Sequence, residues 1–173
     1  MGNNIYLTGF SATGKTTVAT ILANLLEIRV VDVDSMIEER EGKTVPDLFS
    51  TQGEDYFREI ETICMNEVSN LDGVVVSTGG GVPTKKKNRD IMKSSGLVVW
   101  LKASAKTIHS RLIDAVGEDE IRNGRPVLSA KDPFSRISEL LKDREQYYSK
   151  AGVHVSTENR TPEFVALEII RRI

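Results

Sequence analysis

The chain has 173 residues, 23 of them Lys or Arg and 25 Asp or Glu, for a formal net charge of −2. That length fits one domain with its own core, and the balanced charge excludes a module that binds nucleic acid through bulk positive potential. A single cysteine, Cys64, excludes an internal disulfide and any cysteine-cluster zinc site. No run approaches the length of a membrane span, and the first residues carry no basic, apolar leader pattern. A cytoplasmic protein with no membrane or nucleic-acid partner is expected.

Five short β-branched runs punctuate the chain: 5–8, 30–33, 74–77, 97–101 and 153–155. They are apolar on both faces, as buried parallel strands are. Between the first two, Val18, Ile21, Leu22 and Leu25 recur at helical spacing. A last helix is predicted over about 162–173, with Thr161 as its cap and Pro162 in its first turn. This alternation predicts an α/β fold with a parallel sheet covered by helices. Two segments read as insertions: 35–70, amphipathic and without a strand signal, and a polar, charge-rich stretch at about 112–131 suited to a mobile lid.

Residues 9–16, GFSATGKT, match GxxxxGK[ST] between a predicted strand and a predicted helix. In that context Ala12, Thr13 and Gly14 present backbone N–H groups to phosphate, and the helix N-terminus adds positive potential. Lys15 reaches the β- and γ-phosphates, and the Thr16 hydroxyl ligates Mg²⁺. ATP and Mg²⁺ are therefore expected, with Thr17 next along the same helix.

Asp32 and Asp34 close the second strand run at the sheet edge where α/β ligands bind. Two-residue spacing puts both carboxylates on one side of an extended chain. Asp32 suits Mg²⁺ through water, and Asp34 suits an acceptor hydroxyl and its proton. Either is also a helix cap before Ser35. Arg58 sits three residues before Glu61, as a surface ion pair or a ligand group. Gly79, Gly80 and Gly81 follow the third strand, where backbone approaches a ligand closely or simply turns. Ser77 and Thr78 stand beside the expected metal. Arg125 ends the polar insertion, solvated or closing over phosphate. Arg144, one turn before Tyr148, offers a guanidinium fork to a carboxylate or to solvent. Trp100 reads as packing, and neither histidine has a visible catalytic partner.

The set GFSATGKT at 9–16, DVD at 32–34, FRxxE at 57–61, GGG at 79–81, RPVL at 125–128 and RxxxY at 144–148 resembles the shikimate kinases, small P-loop kinases related to nucleoside monophosphate kinases. The resemblance implies a three-layer α/β/α fold, a five-stranded sheet in the order 2-3-1-4-5, and transfer of a phosphoryl group from ATP to the 3-hydroxyl of shikimate by a monomer. It implies Lys15, Asp34 and Arg125 as catalytic residues. Asp34, Arg58, Gly79–Gly81 and Arg144 would hold shikimate. Thr16, with Asp32 through water, would hold Mg²⁺. Arg111 is similar to the arginine that packs on adenine, and Arg160 to a second nucleotide contact. The sequence departs from the pattern at Ala12, where glycine is more usual and a negative φ is expected to accommodate the methyl. It departs also at Glu145-Gln146, where a proline is usual, and in a longer, acidic lid at Glu118-Asp119-Glu120. A related kinase such as a gluconate kinase, or a non-catalytic ATP-binding module, is the alternative.

Overall fold

The computed structural model describes residues 2–117, 128 and 132–173. Arg125 lies outside these residues, as do 118–127 and 129–131 of the expected lid at about 112–131. Five strands form one parallel sheet: β1 (Asn4–Thr8), β2 (Arg29–Asp32), β3 (Val74–Ser77), β4 (Gly96–Lys102) and β5 (Val153–Ser156), in the order β2-β3-β1-β4-β5. Ile5 pairs with Val75 on one side and Leu97 on the other, which centres β1 in the sheet. Parallel neighbours need crossovers, and the intervening helices supply them: α1 (Lys15–Leu26), α2 (Val33–Glu41), α3 (Val45–Ser69), α4 (Lys86–Ser95), α5 (Ala105–Val116) and α6 (Pro133–Tyr148); α7 (Pro162–Ile170) follows the last strand.

Alternation along β1 divides the core. Ile5 and Leu7 face α1 and α7, packing with Val18, Leu22, Val165 and Ile169. Tyr6 faces the other way, onto Ile37, Phe57, Met65 and Met92. A third cluster joins Phe10 to Ile108, Leu112, Leu128, Ile137 and Leu140, between α5 and α6. The predicted face of α1 is rotated in the structure. Ala19 and Ala23 are buried beside Val18 and Leu22, while Leu25 is 49% exposed. Small residues allow the close approach, and they carry little weight in an apolar pattern.

β2 also differs from its expectation. It is an edge strand, so Val30 is 42% exposed rather than buried on both faces. The strand ends at Asp32, whose carboxylate Oδ1 accepts from the N–H groups of Asp34 (3.0 Å) and Ser35 (3.3 Å) and caps α2. Val33 and Asp34 are therefore helical. The two carboxylates do not share one side of an extended strand; a capped turn brings them together.

Thr161 caps α7 as predicted, accepting from Phe164 N. Within α3 the backbone breaks at Gly53 (φ 84°, ψ 169°), separating an arm at 45–52 from the long segment 54–69 that carries Arg58 and Glu61. The loops leaving β1, β2 and β3 thus open at the same carboxyl edge, facing that arm.

Candidate active site

Gly9 and Gly14 adopt positive φ (141° and 89°), and Gly14 is the N-cap of α1, so the first turn of α1 opens into the loop. A Cβ on Gly9 would meet the Leu101 carbonyl oxygen at 2.5 Å. Ala12 overturns its expectation: its φ is +59°, in the left-handed region that disfavours a methyl. The Lys15 Nζ and Thr13 Oγ1 both donate to the Phe10 carbonyl at 2.8 Å. The Thr16 hydroxyl donates to Asp32 Oδ2 (2.9 Å) and lies 3.1 Å from Ser77 Oγ. Asp32 is thus both cap and partner of Thr16, and the two readings of it are not exclusive. Thr17 is exposed in the first turn of α1.

A cavity of about 400 Å³ lies beside this loop. Asp34, Arg58, Gly79, Gly80, Gly81 and Arg144 all line it, with Phe10, Phe49 and Phe57 as apolar wall. The Asp34 carboxyl is pushed up by burial and by Asp32, against the pull of Lys15 and Arg58. Arg58 Nη1 donates to Glu61 Oε1 at 2.7 Å, and its guanidinium lies 5.2 Å from the Phe57 ring centroid and 5.9 Å from that of Phe49. The i,i+3 pair exists, but it is buried and faces the cavity rather than solvent. Glu61 is fully buried, and its Oε2 has no hydrogen-bond partner among the described residues. Burial pushes its carboxyl up to about 7, opposed by Arg58 and reinforced by Asp34.

None of the three glycines after β3 has positive φ. Gly79 and Gly81 are required for space, whereas a Cβ on Gly80 would meet nothing closer than 3.4 Å. A Cβ on Gly81 would fall 2.2 Å from Arg58 Nη1, and one on Gly79 would fall 2.8 Å from Asp34 Oδ1. Gly80 O accepts from Tyr148 Oη at 2.6 Å and from Arg144 Nη1 at 3.5 Å. Arg144 also lies over the Phe10 ring, 5.5 Å from its centroid. Residues from the loop after β1, from α2, α3, the glycine turn and α6 therefore converge on one chamber: a phosphate loop, a partly shielded carboxylate and two guanidinium groups.

The family model for shikimate kinase matches residues 11–173. A shikimate kinase of Sulfurihydrogenibium is 39% identical over 170 residues, covering 98% of this chain and 97% of that protein. One from Persephonella marina is also 39% identical, covering 98% of each. This chain belongs to the shikimate kinase family. The structure of the Acinetobacter baumannii shikimate kinase in complex with shikimate superposes with a TM-score of 0.90 at 33% identity, covering 99% of this chain and 93% of that one. A gluconokinase from Sinorhizobium meliloti shares the fold alone, with a TM-score of 0.63 at 16% identity over 98% of this chain and 90% of its own. The family assignment thus favours a shikimate kinase over the gluconate kinase alternative.

Two residues that the family resemblance points to take distinct places. Arg111 donates to Thr157 O (2.7 Å), Thr157 Oγ1 (3.1 Å) and Ala12 O (3.3 Å), tying the phosphate loop to the loop after β5. Arg160 instead pairs with Glu168 and lies over Phe164, so its contacts are with α7. Sequence reasoning missed the aromatic wall, because nothing local marks Phe49 and Phe57 as lining a pocket. It also left Tyr148 without a role and took Glu61 only as a partner for Arg58.

Proposed function

We propose that this chain is a shikimate kinase in action as in ancestry, transferring the γ-phosphoryl group of ATP to the 3-hydroxyl of shikimate. The observation that carries this is the convergence of Asp34, Arg58 and Arg144 on one cavity beside the phosphate loop. Two guanidinium groups suit one carboxylate of a small acid. Asp34, at the other side of the glycine turn, is placed to align the acceptor hydroxyl. As the acceptor oxygen forms its bond to phosphorus, the bond from phosphorus to the β–γ bridging oxygen breaks, ADP leaves with that oxygen, and the acceptor proton passes to Asp34. A carboxyl raised above its ordinary value is better matched to that proton than a fully shielded anion.

Backbone N–H groups of Ala12 to Thr16 and the Lys15 ammonium serve the phosphates, with Thr17 and the Arg111 guanidinium face flanking the nucleotide. Thr16, Asp32 and Ser77 form a set of hard oxygen donors at the mouth of that loop, which suits Mg²⁺. Thr16 would bind the ion directly and Asp32 through water; the ion neutralises phosphate charge. Arg125 would approach the same phosphates from the lid at about 112–131, and the helical arm in 35–70 would close on the acid. All of these groups belong to one chain, which supports a monomer. No helix among the described residues is long and apolar enough to cross a membrane, and a cytoplasmic site of action accords with the use of ATP.

The test is a coupled ADP-release assay with shikimate, Mg²⁺ and ATP, run beside gluconate. Turnover with shikimate alone is expected. A folded sample that binds ATP yet phosphorylates no shikimate would refute the reading.

A further inference from the structure

Tyr148 closes α6 one turn after Arg144 and is buried, yet its hydroxyl reaches through to the turn that lines the acid pocket. The 2.6 Å bond to Gly80 O is the shorter of the two that this carbonyl accepts. The phenol holds its proton throughout the working pH range, since burial pushes it up to about 12, so it is always the donor. The ring is fixed from behind. It stacks on Trp100 in β4 with centroids 5.8 Å apart, and Trp100 is in turn flanked by His154 (5.2 Å) and Lys102 (4.6 Å).

A trans peptide is planar, so its carbonyl and the next N–H point in opposite directions. Holding the Gly80 carbonyl toward α6 therefore turns the Gly81 N–H away from α6. Gly81 lines the cavity, and a Cβ on it would fall 2.2 Å from Arg58 Nη1, so the Arg58 guanidinium lies close beside it. Among the described residues the Gly81 N–H donates to no protein acceptor. Glycine peptides turn with little steric resistance, so such an orientation has to be imposed from outside.

We propose that Tyr148 is a positioning residue for the acid-binding end of the pocket, whose phenol orients the Gly80–Gly81 peptide so that the Gly81 N–H faces the substrate carboxylate beside Arg58. This rests on shikimate being the acceptor. Tyr148 itself touches no substrate and acts only through the peptide.

The experiment compares wild type and Tyr148→Phe, which keeps the ring and its stack on Trp100. Wild-type turnover with shikimate is measured first; if it is absent, the functional reading falls and this inference with it. With wild type active, Tyr148→Phe is expected to raise the shikimate KM about tenfold, the scale of one hydrogen bond, with the ATP KM held within about twofold. An unchanged shikimate KM, or equal rises in both, overturns the positioning role while leaving the kinase reading intact. A second readout needs no variant. The Gly81 amide proton of the wild-type protein moves downfield in ¹H–¹⁵N spectra when shikimate saturates it; a resonance that stays in place overturns the proposal.

Discussion

One methyl group at position 81 separates a glycine needed for space from a glycine that merely turns the chain. In Gly81→Ala the new carbon would lie 2.2 Å from Arg58 Nη1 and 2.3 Å from both Cζ and Nη2, whereas ordinary contact begins near 3.4 Å. The backbone there has φ −92° and ψ −15°, which alanine adopts freely, so the whole burden falls on the arginine. Arg58 has to withdraw by roughly 1 Å. A displacement of that size in a group that orients substrate costs on the order of 100-fold in rate. The arginine is long and its end moves readily, so the fold survives. Lengthening its 2.7 Å bond to the buried Glu61 costs about 1–3 kcal/mol, or roughly 2–12 °C in Tm for a domain of this size. The assay varies shikimate and ATP separately and adds a thermal melt. The expected result is kcat/KM for shikimate down about 100-fold with the ATP KM unmoved. Gly80→Ala is the control, since its methyl would meet nothing closer than Ser11 N at 3.4 Å, and it leaves the free protein as stable as wild type. A Gly81→Ala enzyme with normal shikimate kinetics, or one whose ATP KM rises in step, would refute the reasoning.

Glu61 couples stability to pH. Its folded value of about 7 lies above the ordinary 4.5, so its stabilising share is complete below about pH 4.5 and is lost as pH rises through 7. At about 1.4 kcal/mol per unit this is at most roughly 3–4 kcal/mol, and Glu61→Gln is expected to flatten the fall in Tm between pH 5 and 8; an unaltered slope contradicts it. Ala12→Gly relieves a left-handed alanine and is expected to raise Tm by roughly 2 °C after the added chain entropy is counted, whereas a lower Tm would mean that the methyl is unstrained. Arg144→Lys keeps the charge but loses the fork, so the shikimate KM rises about tenfold while ATP binding holds; parallel changes would count against Arg144 as a carboxylate ligand.

The strands were legible because β-branched runs bounded by glycine and polar residues have few other uses, and β3 coincides with the predicted run at Val74–Ser77. Sheet order is not written locally: the apolar run at 30–33 reads as buried on both faces, and only the order implied by the family resemblance puts β2, with its exposed Val30, at the edge. The pair Asp32 and Asp34 was found by an argument about extended chain that the cap on α2 overturns. The residue types for that cap, an aspartate followed by Asp34 and Ser35, stood in the sequence. The triple glycine was read as a close approach to a ligand or a plain turn, whereas the groups that crowd Gly79 and Gly81 are Asp34 and Arg58, 45 and 23 residues away in sequence. No local pattern encodes that. Arg160, similar by resemblance to a nucleotide contact, pairs with Glu168 on the next helix, a partner that no local pattern predicts.

The phosphate loop has a consequence for turnover. Lys15 is already bonded to the Phe10 carbonyl, and Thr16 to Asp32 and Ser77. On the proposed reading, an arriving nucleotide would displace these side-chain partners, so the net gain from Lys15 and Thr16 is smaller than a group without a prior partner would give. On that reading, the Lys15 and Thr16 side chains would return to those same partners when ADP departs. A loop that closes on itself in this way eases product escape, and so sets a ceiling on grip in favour of repeated cycles.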